Sequence, residues 1–179
     1  IGVVHGLAWT AVGGVTLKIE VNVMPGKGVI QVTGSLGNVM KESAQAAISY
    51  IRSQSKKYKI KSDFFEKHDI HIHIPEGAVP KDGPSAGITM TTAVLSAITE
   101  TKVCGNLAMT GEVTIRGDVL QIGGLKEKLL AAKRLGITKV LVPKMNEKDV
   151  KEFEEEVIEG LEIVYVKTMT QVIKEAFVR

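Results

Sequence analysis

The stretch TLKIEVNVMP, residues 16–25, decides the fold class because apolar and polar side chains alternate along it. A period of two is typical of a strand with one face in a core. From Leu36 to about Lys56 the apolar residues instead follow helical spacing, which predicts a long amphipathic helix. A chain that switches between these two periods predicts a mixed α/β (α+β) fold.

The flanking sequence continues this mixture of strands and helices. We predict further strands at residues 29–33, 70–74, 107–109, 139–142 and 163–166, the first of them paired with residues 16–25. We predict further helices at residues 84–98, 125–135, 146–158 and from 170 onwards. A hairpin at 113–122 is expected to turn on Gly117 and Asp118. Because no linker or repeat interrupts this pattern, we expect one compact domain over residues 1–179 with a β-α-β tail.

Composition excludes several classes of protein. The 179 residues are 44% hydrophobic and 24% charged, which is typical of a folded globular chain and not of a disordered one. No apolar run is long enough to span a membrane, so we expect no membrane partner. The first ten residues lack a basic start, a long apolar core and an initial Met, which predicts no signal peptide and a segment of a longer chain. Cys104, the single cysteine, fits a reducing compartment.

Charge and motif patterns argue against nucleic-acid, nucleotide and metal binding. The densest basic cluster holds only four lysines and one aromatic residue, Tyr58, and is better explained as a solvated helix end; the four are Lys56, Lys57, Lys59 and Lys61. Neither a P-loop nor a strand-linked G-x-G-x-x-G is present, so we expect no nucleotide cofactor in this chain. His71 and His73 share one strand face, but no third ligand follows at a recognisable spacing. We therefore expect no metal site.

The stretch 83–87, GPSAG, matches the G-x-S-x-G pattern of a nucleophilic serine. In the predicted helix Ser85 lies in the first turn, where free backbone N–H groups stabilise an oxyanion. The alternative is that Ser85 only caps the helix. All four histidines precede Ser85, which excludes the chain order of an α/β-hydrolase triad. A triad with His71 or His73 before the serine remains open.

A lysine base is the other option, and the predicted helix 125–135 offers one. At about 100° per residue, Lys128 falls within the apolar arc of this helix. The other members of that arc are Leu125, Leu129, Ala132 and Leu135. Burial and the positive end of the helix dipole both lower the pKa of such a lysine, and a neutral amine is what a Ser–Lys mechanism requires. The alternative is a lysine whose stem covers apolar surface while its ammonium reaches water.

Four segments together resemble the proteolytic domain of Lon proteases. They are PKDGPSAG at 80–87, MTGEVTIRG at 109–117, GGLKEK at 123–128 and GLAWT at 6–10. The first and last are similar to the A-type branch, found in bacteria and mitochondria. The resemblance implies a compact α/β domain in the superfamily of the second domain of ribosomal protein S5. It extends nearly from end to end of the chain.

The resemblance implies a serine endopeptidase that degrades unfolded, damaged or short-lived regulatory proteins. Ser85 matches the nucleophile, Lys128 the general base and Thr110 a threonine that orients the lysine. Asp82 matches an acidic residue that pairs with the lysine in inactive arrangements, and Glu112 belongs to the same family motif. With this mechanism, the backbone N–H groups of Gly83 and Ser85 become the expected oxyanion donors.

The resemblance also implies partners outside this chain. Family members carry an N-terminal substrate-recognition region and an AAA+ module that binds ATP and Mg²⁺, and they assemble as hexameric rings. We therefore expect polypeptide substrates and a homo-oligomer, in the bacterial cytoplasm or the mitochondrial matrix. The alternative is a noncatalytic ring-forming or nucleic-acid-binding module on the same fold.

Overall fold

The computed structural model describes residues 1–10, 13–75 and 81–179, so Pro80 of the serine motif lies outside the described residues. The strands are β1 (Val3–Thr10), β2 (Gly13–Pro25), β3 (Ile30–Thr33), β4 (His68–His73), β5 (Leu107–Met109), β6 (Glu112–Val113), β7 (Val119–Leu120), β8 (Lys139–Pro143) and β9 (Glu162–Val166). The helices are α1 (Asn38–Ser53), α2 (Phe64–Lys67), α3 (Gly87–Thr99), α4 (Leu125–Arg134), α5 (Glu147–Lys151), α6 (Glu155–Ile158) and α7 (Met169–Ala176). A 3-10 turn, Lys144–Asn146, precedes α5.

Seven of the described strands form one mixed sheet in the order β3-β4-β2-β1-β5-β8-β9, and β6 and β7 form a separate pair. Strand β2 pairs antiparallel with β1 and with β4. From β1 to β9 the neighbours β1–β5, β5–β8 and β8–β9 are all parallel. The predicted α/β class and its β-α-β tail are confirmed. In the described part of the chain, every helix is too short or too polar to cross a membrane.

Strand β2 contains residues 16–25 and shows why this stretch determines the fold. Leu17, Ile19 and Val21 are buried while Lys18 and Asn22 are exposed, as the period of two predicts. The sheet has an apolar layer on each side, and β1 contributes to both: Val4 packs into one and Leu7 into the other. Helices α1 and α3 cover the first layer, and α4 covers the second across β1 and β2.

Strand β3 does not pair with β2 as predicted. It pairs in parallel with β4, and β4 lies between β3 and β2. The turn after β2 determines this path, because the Asp69 carboxylate of β4 accepts the N–H groups of Lys27, Gly28 and Val29. These hydrogen bonds, which also lower the pKa of Asp69, carry the chain around the edge of β4.

Two other boundaries differ from the predictions. The β6–β7 hairpin closes over the five residues 114–118 rather than over two, because Thr114 and Asp118 bond through backbone and side chain. The acidic helix predicted at 146–158 is split into α5 and α6. An unbroken helix would stack Glu152 against Glu155 and Glu156, and like charges at this spacing destabilise helices. Helix α1 ends at Ser53, so the four exposed lysines lie beyond it: Lys56, Lys57 and Lys59 in turns and Lys61 just after them.

Candidate active site

The turn that carries Ser85 comes directly before α3. The helix begins at Gly87 with Ala86 as its N-cap, so Ser85 lies outside the first helical turn and does not cap the helix. The prediction of a helix from residue 84 is therefore wrong by three residues. The carbonyl of Ser85 accepts a 2.8 Å hydrogen bond from the N–H of Gly111, which takes this carbonyl out of the helical pattern.

The loop before the serine is attached to the start of α1. Its backbone at Lys81 bonds to Ser35 and to Gly37, at 3.0 and 2.7 Å. The Asp82 carboxylate accepts the N–H of Met40 at 2.9 Å. This contact and the N–H of Gly83 lower the pKa of Asp82, because both stabilise the ionised carboxylate. Asp82 therefore faces the N-terminus of α1.

Lys128 is the buried cation of the site. Lys128 lies on the first turns of α4, and the residue is only 2% exposed. Burial lowers the pKa of Lys128 from 10.5 to about 8. Leu125, Leu129 and Ala132 are buried beside it on the helix, as predicted.

One member of the predicted apolar arc of α4 is not buried. Leu135 is 52% exposed although it keeps a helical backbone as the C-cap of α4, because the apolar layer under α4 does not extend to this residue. The end itself is as predicted: Gly136 has a φ of +82°, and the N–H groups of Gly136 and Ile137 bond back to Lys133 and Ala132.

Thr110 is the polar partner of the lysine. The Nζ of Lys128 donates to Oγ1 of Thr110 across 3.3 Å, and Thr110 is fully buried. The N–H of Thr110 donates to the carbonyl of Leu141, which fixes the threonine at the end of β5. Glu112 lies farther along, in β6 opposite Leu120, and does not line the cleft described next.

Ser85 and Lys128 line one open cleft of about 680 Å³. Asp82 also lines it, together with a wall formed by residues 121–124. The remaining lining is largely apolar: Ala8, Trp9, Leu17, Met40 and Pro84, with Glu127 as a further carboxylate. The structure thus brings Ser85, Lys128 and Asp82 to one cavity, and Thr110 accepts a hydrogen bond from the lysine.

No motif or spacing singles out Gly14, yet this residue sets the position of α4. A Cβ at Gly14 would lie 2.0 Å from the carbonyl oxygen of Glu127, so β2 approaches the first turns of α4 as closely as only glycine allows. The guanidinium of Arg134 donates to the Gly14 carbonyl at 2.8 Å, which holds the same contact from the other end of the helix.

The histidine pair lies elsewhere. His71 and His73 both bond to Oγ1 of Thr33, at 2.8 and 2.6 Å, and neither lines the cleft. Among the residues that the structure describes, no three His, Cys, Asp or Glu side chains group as metal ligands do. Cys104 is a half-buried free thiol, also away from the cleft.

A serine hydroxyl and a buried lysine that share one cleft on an α/β domain are the residue pair that a Ser–Lys hydrolase requires. The model of the Lon protease (S16) C-terminal proteolytic domain matches residues 1–179, and the chain belongs to this family. The resemblance found in the sequence is confirmed.

Relatives of this chain come from several bacteria. It is 65% identical to the Lon protease of Lachnoclostridium phytofermentans over 99% of this chain and 22% of that protein. It is 62% identical to the Lon protease of Clostridioides difficile over 100% of this chain and 23% of that protein. For Lon protease 1 of Bacillus subtilis the identity is 57%, over 99% of this chain and 23% of that protein. The chain thus spans less than a quarter of the length of these relatives.

Proposed function

We propose that this chain is a serine endopeptidase that works through a Ser–Lys dyad, with Ser85 as nucleophile and Lys128 as general base. One observation carries the proposal: a lysine buried to 2% exposure, with its pKa lowered to about 8, lines the same cleft as the serine. A structural lysine would place its ammonium in water. Here the amine is held inside the protein, where the neutral form is accessible near neutral pH.

The reaction begins with proton transfer. The neutral amine of Lys128 takes the proton of the Ser85 hydroxyl, and the serine oxygen attacks the scissile carbonyl of an extended peptide. Lys128 then gives this proton to the leaving amine, which departs and leaves an acyl-enzyme. A water molecule repeats the cycle, with Lys128 again as base, and releases the acid product.

Two neighbours support these steps in the proposal. Thr110 accepts a hydrogen bond from the Lys128 amine, which directs the remaining lone pair of the amine. The N–H of Ser85 is our oxyanion donor. The N–H of Gly83 bonds to the Asp82 carboxylate in this structure, so its use as a second donor requires that contact to open. We assign Glu112 no direct contact with the substrate; in the proposal it contributes to the β6–β7 strand pair alone.

The context of the domain is also proposed. The relatives are named Lon protease and are more than four times as long as this chain. We propose that the longer protein forms a hexameric ring in the bacterial cytoplasm, where an AAA+ module with ATP and Mg²⁺ unfolds polypeptides and threads them to the cleft. The domain itself then needs no cofactor.

Two substitutions test the dyad. Ser85→Ala and Lys128→Arg should both abolish cleavage of an unstructured fluorogenic peptide while circular dichroism stays unchanged. The guanidinium of Lys128→Arg keeps the charge but stays protonated and cannot act as a base. Lys126→Arg, on the exposed face of the same helix, is the matched control and should keep full activity. Substantial cleavage by either site variant contradicts the dyad.

The noncatalytic alternative makes the opposite prediction. A nucleic-acid-binding module would bind oligonucleotides with strong salt dependence and would lose nothing in Ser85→Ala. The exposed lysines 56–61 are the cluster on which such binding would depend. We expect no such binding.

A further inference from the structure

Asn146 is a buried polar residue that the dyad does not use. It is 2% exposed and lies in the 3-10 turn after β8. Its Oδ1 accepts the N–H of Ile122 at 3.0 Å, and its Nδ2 donates to the carbonyl of Ile122 at 2.9 Å. Nδ2 also donates to Oδ2 of Asp149 at 2.8 Å. One side-chain amide thus serves both backbone groups of a residue 24 positions away.

The residue held in this way belongs to the cleft. Ile122 is one of the wall residues 121–124, between β7 and α4. The wall ends at Gly124, which has a φ of +66° and is the N-cap of α4. The carbonyl of Gly124 accepts the N–H of Lys128 at 3.1 Å. The position of the wall therefore determines where the helix that carries Lys128 begins.

We propose that Asn146 is a positioning residue of the active site, which acts through the backbone of Ile122 to hold the cleft wall and the start of α4. Its kinetic consequence rests on the proposed function, whereas its effect on the position of the wall does not. The bidentate contact needs an acceptor and a donor in one planar group, which an amide supplies and a carboxylate does not. Asp149 fixes the orientation of the amide, because its carboxylate accepts a hydrogen bond from Nδ2 and cannot bond to Oδ1.

The isosteric substitution Asn146→Asp tests this role. It keeps the acceptor for the N–H of Ile122 but leaves the Ile122 carbonyl without a donor, and it places a second carboxylate beside Asp149. The double variant Asn146→Asp/Asp149→Asn removes that repulsion and still lacks the donor to Ile122. The matched control is Val150→Ala, which trims a buried side chain on α5 and leaves the amide contact intact.

The single tryptophan of the chain reports the position of the wall without any need for catalysis. Trp9 lines the cleft and packs against Gly124, where an added Cβ would lie 2.9 Å from its Cβ and Cγ. Because Trp9 is already 61% exposed, a displaced wall can cover or uncover its ring, and in both Asn146 variants we expect its emission maximum and its acrylamide quenching to differ from those of the parent. In Val150→Ala we expect neither change.

Kinetics supply the second measurement. We expect kcat/KM on a short peptide to fall about 10- to 100-fold in the double variant, mainly in kcat, since a misplacement of about 1 Å at a reacting group can cost that much. Val150→Ala should keep kcat/KM when assayed well below its melting temperature. Unchanged Trp9 quenching and kcat in the double variant, or equal losses in Val150→Ala, would overturn the proposal. Cleavage that survives Ser85→Ala would instead overturn the dyad and leave the Trp9 result to decide the role of Asn146.

Discussion

Lys128→Met removes the buried amine but keeps an unbranched side chain, and we expect it to stabilise the fold at neutral pH while it abolishes hydrolysis. An ammonium buried to 2% exposure destabilises the native state, which is why the pKa of Lys128 falls from 10.5 to about 8. At about 1.36 kcal/mol per pH unit, this difference corresponds to about 3 kcal/mol. The lost hydrogen bond to Thr110 offsets about 1 kcal/mol of this gain.

The effect has a defined pH dependence. Below pH 8 the lysine is protonated in both the folded and the unfolded state, and the native protein bears the full cost of burying the charge. Between pH 8 and 10.5 the unfolded chain keeps a proton that the native protein has released, so the free energy of unfolding rises with pH. The Met variant lacks this rise. Its advantage of about 2 kcal/mol at pH 7 should therefore shrink above pH 8 and vanish at about pH 9.5. Above pH 10.5 the Met variant should be less stable than the parent by about 1 kcal/mol, the contribution of the lost hydrogen bond.

Urea denaturation of both proteins at several pH values between 6 and 10.5 measures this difference directly. The other titrating groups are common to the two proteins and cancel in the comparison. A Met variant that is less stable than the parent at pH 7 would refute the reasoning. So would a stability difference that does not change with pH.

Three further outcomes follow from the same geometry. Thr110→Val keeps the shape of the side chain but removes the acceptor for Lys128, so peptide assays should show kcat about tenfold lower, equivalent to about 1.4 kcal/mol. Gly14→Ala places a Cβ 2.0 Å from the Glu127 carbonyl and should lower stability by about 1–3 kcal/mol in thermal melts, whereas Gly105→Ala, with open space around it, should not. ATP should leave the peptidase rate of this chain unchanged, because its sequence has no phosphate-binding loop; stimulation by ATP would contradict this.

Helix geometry made Lys128 predictable from sequence. The direction of a side chain on a helix depends only on local spacing, so the burial of Leu125, Leu129 and Lys128 followed from their positions. The buried face of β2 was predictable for the same reason, because side chains alternate between the two faces of a strand. Leu135 lies on the predicted arc but is exposed, because the extent of the apolar layer under α4 is set by other elements and not by spacing along the helix.

Features that depend on distant partners were not predictable in this way. Strand β1 gives no clean alternation, because its residues pack into apolar layers on both sides of the sheet and its parallel partner β5 lies about a hundred residues away. The turn at Ser85 depends on the N–H of Gly111, and the role proposed for Asn146 depends on Ile122. No local pattern encodes these contacts.

The pH profile of kcat/KM on a short unstructured peptide tests the central claim most directly, because its acid limb reports the essential base of the free enzyme. With Lys128 as that base, activity should rise through a midpoint near pH 8, the pKa to which burial lowers the amine. Lys128→Arg should show no activity at any pH. A midpoint at about pH 6.5, as expected of a histidine, together with an active Lys128→Arg, would contradict the Ser–Lys account.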